Sequence, residues 1–116
     1  MKRGALYRGD VCILDSVALA ANPWTRLRGL LWRPALRTGQ GLLIEPCGSV
    51  HTFGMRYPLD LVYLDRDNRV VDTCANLSPW RTHRARTRAR KTLELPAGDL
   101  ARFNPRIGEQ LTWQPH

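Results

Sequence analysis

The sequence predicts a mainly β, α+β fold: a small antiparallel barrel or sandwich with one or two short helices. Three observations indicate this class. Short runs of apolar and β-branched residues recur along the chain, as at residues 61–64 and 70–74. Polar turn signals separate these runs, as at residues 65–69. Only residues 22–34 show apolar side chains at convincing helical spacing.

The first third of the chain contains a predicted hairpin and the predicted helix. Residues 5–14 mix β-compatible side chains around a Gly-Asp turn signal, which indicates a hairpin or one strand beside a bend. The helix over residues 22–34 begins with an Asn-Pro pair, in which Asn caps free amides and proline suits the first helical position. A proline also ends it, because proline cannot continue a helix.

The rest of the chain alternates strands and turns. A turn at residues 96–99 leads into one helical turn that ends near Asn104. The basic segment at residues 81–91 is a loop or an exposed strand. The predicted strands are residues 42–44, 50–55, 61–64, 70–74, 92–95 and 108–113.

Length and composition predict one globular domain over residues 1–116. A chain of 116 residues buries roughly two thirds of the surface that its unfolded form exposes. That is enough for a stable core without disulfide bonds or a structural metal. Three cysteines without Cys-x-x-Cys spacing disfavour a disulfide framework and a paired-ligand zinc site. The histidines are scattered and the glycines form no phosphate-binding loop, so we expect neither a metal nor a cofactor.

The start of the chain lacks the apolar stretch of a secretory signal. No apolar run reaches the length that a membrane span needs. Together with the cysteine pattern, these features predict a cytoplasmic protein.

Positive charge is concentrated in one segment. Of the net charge of +8, residues 81–91 contribute six positive charges and no acid. In an extended strand, the alternating arginines would point to one face and attract nucleic acid or anionic lipid. The alternative is a solvated edge strand whose charges discourage edge-to-edge pairing. Base stacking has little support, because Trp80 is the one aromatic residue at this segment. The basic residues are Arg81, Arg84, Arg86, Arg88, Arg90 and Lys91.

Polar residues just ahead of the strand at residues 61–64 form the candidate site. His51 is a candidate general base, metal ligand or ligand-binding donor, or else a strand-end histidine bonded to backbone. Asp60 is placed to orient His51 or bind a ligand hydroxyl, or else to accept backbone amides in a turn. Cys47 lies four residues before His51. The two suggest a nucleophilic pair, against the alternative of a small buried thiol.

Two further charged residues complete the candidate set. Glu94 lies between two leucines, so strand alternation sends its side chain opposite to theirs, either into solvent or into a polar cleft. Arg28, on the predicted helix, is a candidate partner for Asp60 or Glu94. These interpretations leave a structural ion pair and a site role both open.

An ordered set of motifs over residues 22–113 resembles the domain of unknown function 192 family of prokaryotes. The motifs lie at residues 28–33, 41–44, 51–55, 58–60, 93–98 and 108–109. The resemblance implies a compact, mainly β fold and no established activity. Many relatives carry a tryptophan where this chain has Gly54. If that side chain walls a pocket, the resemblance implies a wider or differently lined pocket here.

Two functional hypotheses follow, and whether the chain is an enzyme stays open. The favoured one is a non-catalytic binding module for a small polar ligand or a protein partner near Arg28, His51 and Asp60. The alternative is a small hydrolase or transferase that uses Cys47 or His51. The binding module is favoured because no complete set of nucleophile, base and orienting group can be assembled. Nucleic-acid association through residues 81–91 is a weaker alternative.

Overall fold

A computed structural model describes residues 1–21 and 35–116. The predicted helix at residues 22–34 lies outside the described residues. In chain order the elements are β1 (Lys2–Arg8), β2 (Val11–Ala20), β3 (Gln40–Ile44), β4 (Ser49–His51), β5 (Leu59–Leu64), β6 (Val70–Leu77), β7 (Thr82–Arg84), β8 (Lys91–Pro96), α1 (Asp99–Phe103) and β9 (Thr112–Pro115).

Seven strands form the main sheet, in the order β6-β5-β8-β3-β2-β1-β9. Its neighbours pair antiparallel except β2 and β3, which are parallel. The remaining strands, β4 and β7, form a small antiparallel sheet. The sheets do not close into a barrel, so the predicted mainly β, α+β fold is confirmed in its sandwich-like form.

The core lies on both faces of the main sheet. Every residue of β5 is buried, which agrees with its continuous apolar sequence. On one face, Val62 belongs to a cluster that includes Phe103 of α1. On the other face, Leu61 belongs to a cluster that includes Val50 and Ala85, in and beside the small sheet. Helix α1 and the small sheet therefore cover opposite faces of β5.

The two predicted tight turns are present. Gly9 adopts φ 59 between β1 and β2, so the hairpin interpretation of residues 5–14 is confirmed, with strands longer than predicted. Between β5 and β6, the carboxylate of Asp65 accepts the backbone amides of Asp67 and Arg69. The Asp65 side chain thus satisfies two backbone amides that have no partner from strand pairing where the chain turns.

The predicted strand at residues 50–55 and the basic segment are shorter strands than expected. Residues 49–51 form β4, after which the chain turns. Residues 82–84 form β7, and the chain then loops until β8. The loop forms because Asp72 binds both the backbone amide and the guanidinium of Arg86. The alternating arginines therefore do not share one strand face.

Within the described part of the chain, no helix is long and apolar enough to cross a membrane.

Candidate functional site

Three aromatic side chains lie side by side at the small sheet. The ring centroid of Phe53 is 5.3 Å from that of His51 and 5.9 Å from that of Trp80. Their planes are tilted by 34° and 27°. Phe53 is 47% exposed and Trp80 is 69% exposed. We call these three rings the aromatic row.

Thr52 ties together the two segments that carry the aromatic row. Its buried hydroxyl donates to the carbonyl of Ser78 at 2.7 Å and accepts the amide of Arg81 at 2.9 Å. Its own amide donates to the carbonyl of Arg81 at 2.8 Å, and its carbonyl accepts the amide of Trp80 at 3.0 Å. Four hydrogen bonds from one residue therefore fix the spacing of Phe53 and Trp80.

The backbone of Trp80 adopts φ 64. A bulky L-residue in this left-handed region is an outlier that costs about 1–3 kcal/mol. The hydrogen bonds of Thr52 offset that cost. The strained turn directs the indole into solvent, where it adds nothing to the core.

Two arginines lie near the aromatic row in the small sheet or in the chain. In the small sheet Ser49 pairs with Arg84, Val50 with His83, and His51 with Thr82. Val50 is buried, so strand alternation places Arg84 and His51 on the same outer face. Exposed Arg81 directly follows Trp80 in the chain. Residues 46–59 and 73–93 contain no acidic residue, so the field around the row is positive.

A hydrogen-bonded pair, buried Tyr63 and partly exposed His83, holds the small sheet on the core. The hydroxyl of Tyr63, in β5, lies 2.8 Å from Nδ1 of His83, in β7, and their rings stack 5.6 Å apart. Burial raises the pKa of Tyr63 far above its ordinary value. The phenol is therefore neutral at any physiological pH and joins the two sheets as a hydrogen-bonding group.

The other basic residues have acidic or polar neighbours. Nε and Nη2 of Arg86 lie 3.1 and 2.6 Å from one carboxylate oxygen of Asp72. Lys91 donates to the side-chain carbonyl of Asn68 and lies 3.9 Å from Glu45. Arg88 and Arg90 line a surface cleft that also contains three acids, Glu45, Asp65 and Asp67. The predicted basic patch is therefore divided, and Arg81 and Arg84 are its members next to the aromatic row.

Asp60 and His51 lie on opposite faces of the main sheet. One carboxylate oxygen of Asp60 accepts the amide of Asn76 at 2.8 Å. The other accepts the amides of Gly98 and Leu100 at 2.9 and 3.0 Å, at the start of α1. Because α1 covers the face of β5 away from the small sheet, this carboxylate holds α1 and does not orient the His51 ring.

Cys47 and His51 are also separated. The thiol of Cys47 donates to the carbonyl of Ser49 at 3.0 Å and packs against the core cluster beneath the small sheet. The His51 ring is exposed on the outer face and contacts Phe53. The structure brings Cys47 to the core and His51 to the aromatic row.

Glu94 is a buried acid in the central strand β8. It pairs with Leu42 and Leu61, so its side chain is on the face that the small sheet covers. Burial raises the pKa of Glu94 to about 7, and its charge contributes to the raised pKa of nearby Tyr57. Arg28, its predicted partner, lies outside the described residues.

The described residues contain no cluster of three His, Cys, Asp or Glu side chains arranged to hold a metal ion.

Comparison with known proteins identifies the family. The profile of the domain of unknown function 192 (DUF192), described as "Uncharacterized ACR", matches residues 8–113. The chain belongs to this family. The match begins at residue 8, earlier than residue 22, where the recognised sequence motifs begin, because it also includes strand β2 and the turn before it.

Similar proteins are found by sequence, and two solved structures share the fold of this DUF192 chain. A UPF0127 protein of Thermococcus sibiricus is 27% identical over 97% of this chain and 71% of its own length. A UPF0127 protein of Pyrococcus horikoshii is 37% identical over 56% of each chain. A crystal structure of a protein of unknown function from Novosphingobium aromaticivorans superimposes with a TM-score of 0.80 at 21% identity, over 96% of this chain and 84% of its own. The crystal structure of a putative transcription regulator from Sinorhizobium meliloti superimposes with a TM-score of 0.80 at 24% identity, over 97% of this chain and 92% of its own.

Sequence reasoning missed three residues of the site in this DUF192 chain. Phe53 and Trp80 were not predicted as site residues, and neither was Thr52, which holds them. A signal was available, because Phe53 precedes a glycine and Trp80 follows a proline. Large aromatics inside turn signals are poorly placed for core packing. That the two turns meet was not visible, since 26 residues separate them in the chain.

Proposed function

We propose that this DUF192 protein is a non-catalytic binding module that holds the flat ring of a polar ligand or partner on the aromatic row. The observation that carries this proposal is the presentation of Phe53 and Trp80. Both rings are exposed, yet Thr52 fixes their spacing through four hydrogen bonds. Exposed aromatics held rigidly contribute binding area at little entropic cost.

The positions of Cys47 and His51 support binding over hydrolysis. A thiol nucleophile needs a base within hydrogen-bond reach. Here the thiol donates to the carbonyl of Ser49, while the exposed His51 ring lies against Phe53 at a tilt of 34°. The His51 ring is thus better placed to extend a stacking surface than to remove a proton from Cys47.

Nuclear magnetic resonance tests the proposal through the indole N–H signals. Isotope-labelled protein is titrated with adenosine, a methyl glucoside and N-acetyl-tyrosinamide, and a Trp80→Phe variant assigns the Trp80 signal. Single rings bind exposed aromatics weakly, so we expect a dissociation constant on the order of 1 mM for at least one probe. The Trp113 indole, which donates to the carbonyl of Val17 at 3.0 Å, is the internal control and should not shift.

Two results would contradict the proposal. One is a Trp80 signal that none of the probes moves at about ten times that concentration. The other is turnover in a broad hydrolase screen that Cys47→Ala or His51→Ala abolishes. Both variants should leave the thermal melting curve close to that of the parent protein.

A further inference from the structure

We infer that the aromatic row and the arginines beside it bind single-stranded nucleic acid, with bases stacked on the rings and phosphates next to Arg81 and Arg84. This inference rests on the proposed function, because it names a nucleobase as the flat ring. It combines two features that are separate in the sequence. In the sequence only Trp80 lies beside the basic segment, and the fold adds Phe53 and His51 to it.

Charge around the aromatic row favours an anionic ligand. The two stretches that form the small sheet and its loops, residues 46–59 and 73–93, carry seven Arg or Lys residues and no acid. Two acids of the main sheet lie on the face that the small sheet covers: Asp72, which Arg86 already binds, and Glu94, which is buried. Arg81 and Arg84 therefore keep a net positive field next to the rings, which suits a phosphate backbone.

The geometry lets rings and charges contact neighbouring nucleotides. Arg84 is two residues from Thr82, the partner of His51, on the outer face of the small sheet. Two residues along a strand span about 7 Å, so Arg84 lies about one nucleotide from the aromatic row. A strand of nucleic acid crossing β4 and β7 places bases on Phe53 and Trp80 and its backbone along the arginines.

Single strands fit this surface better than other anionic partners. A duplex hides the faces of its bases, so the rings would have nothing to stack on. An anionic membrane offers phosphate without a flat ring, and neutral sugars offer a ring face without charge. Single-stranded nucleic acid supplies an unstacked aromatic ring and a phosphate in every nucleotide.

Fluorescence anisotropy with labelled oligonucleotides tests the inference on the full chain. The probes are oligo(dT) and oligo(U) of about 15 nucleotides, a typical single-strand site size, and a duplex of equal length. Titrations are run at about 50 and 200 mM salt to obtain the salt slope. The variants are Trp80→Ala, Phe53→Ala and Arg84→Gln. Arg102→Gln, an exposed arginine of α1 on the opposite face of the sheet, is the matched control.

We expect the single strands to bind more tightly than the duplex. Trp80→Ala or Phe53→Ala should weaken single-strand binding about 5- to 100-fold and leave the salt slope unchanged. Arg84→Gln should lower that slope by about 0.7, the contribution of one phosphate contact. Arg102→Gln should change neither quantity. Thermal melting of each variant identifies any that fails to fold, and the two ring variants test the same claim independently.

Three results would overturn the inference: no binding of single strands, equal binding of duplex and single strands, or ring variants that bind like the parent. The last two results indicate non-specific adsorption to positive charge. If oligonucleotides fail while the glucoside or the tyrosine amide still shifts the Trp80 indole signal, the binding module stands and its nucleic-acid ligand is wrong. If no probe of either kind shifts that signal, both proposals fail.

Discussion

The hydroxyl of Tyr63 lies 2.8 Å from Nδ1 of His83, across the junction between the main sheet and the small sheet. The same hydroxyl lies 3.3 Å from the carbonyl of His83, and Tyr63 has no exposed surface. Strand β7 is only three residues long, too short to be stable by its own pairing. This buried contact therefore helps to place the aromatic row relative to the core.

Tyr63→Phe should lower the free energy of unfolding by about 1–3 kcal/mol, because it removes the hydroxyl that bonds the partly buried ring nitrogen and carbonyl of His83. Urea denaturation monitored by circular dichroism measures the change. Tyr7→Phe, at a partly exposed position of β1, is the matched control. Equal stability of the two variants would contradict a structural role for the Tyr63 hydroxyl.

Thr52→Val should disrupt the aromatic row without removing any ring. Valine has nearly the same shape, but it leaves the carbonyl of Ser78 and the amide of Arg81 without the hydroxyl, at a cost of about 1–3 kcal/mol. We expect loss of stability together with a shifted Trp80 indole signal in the absence of ligand. Thr112→Val, at an exposed position of β9, should show neither effect. An unchanged Trp80 signal in Thr52→Val would count against the anchoring role.

Asp72→Asn should remove the ion pair with Arg86, whose contribution to stability depends on pH. Hydrogen bonds from the Arg86 guanidinium lower the pKa of Asp72 from 3.8 to about 2. Because the folded pKa is the lower one, the carboxylate stabilises the fold above about pH 4 and loses this effect as the pH falls towards 2. At pH 7 the variant should be less stable by about 1–2 kcal/mol. Urea denaturation across this range should show the difference shrinking in acid, with exposed Asp10→Asn as the matched control.

Glu94→Gln should have the opposite pH dependence. Burial raises the pKa of Glu94 from 4.5 to about 7, so the folded chain retains a proton that the unfolded chain loses. Stability of the parent should therefore fall between about pH 4.5 and 7, and the variant should not show this fall. Above pH 7 the variant should be more stable by about 1–3 kcal/mol.

Denaturation at pH 5 and pH 8 measures this effect, with partly exposed Glu45→Gln as the control. A Glu94→Gln variant that is less stable than the parent at pH 8 would contradict the expectation. That result would indicate an ionised carboxylate with a charged partner, such as the Arg28 pair considered from the sequence.

Several elements were predictable because local patterns specify them. The apolar run of β5, the polar turn before β6 and the glycine turn between β1 and β2 all follow from side chains close in sequence. The parallel pairing of β2 with β3 did not follow, because the partner of a strand is a long-range choice. The shortening of the basic strand to Thr82–Arg84 also depends on a distant residue, Asp72.

The candidate site was predicted only in part. His51 was named from the sequence, and it belongs to the aromatic row. Asp60 was named with two alternatives, and its carboxylate accepts three backbone amides at the opposite face of β5. The sequence order His51 to Asp60 suggested closeness, yet the two residues lie on opposite faces because strand and turn geometry separates them.

By itself the sequence determined the class of fold, the family and the concentration of positive charge, since each depends on composition or on local order. Tertiary structure alone decided that Phe53 and Trp80 lie side by side and that Asp72 binds Arg86. It also decided that Cys47 packs against the core while His51 is exposed. These outcomes rest on contacts between residues far apart in the chain. Such contacts arise from the packing of the small sheet on the core, which no local pattern encodes.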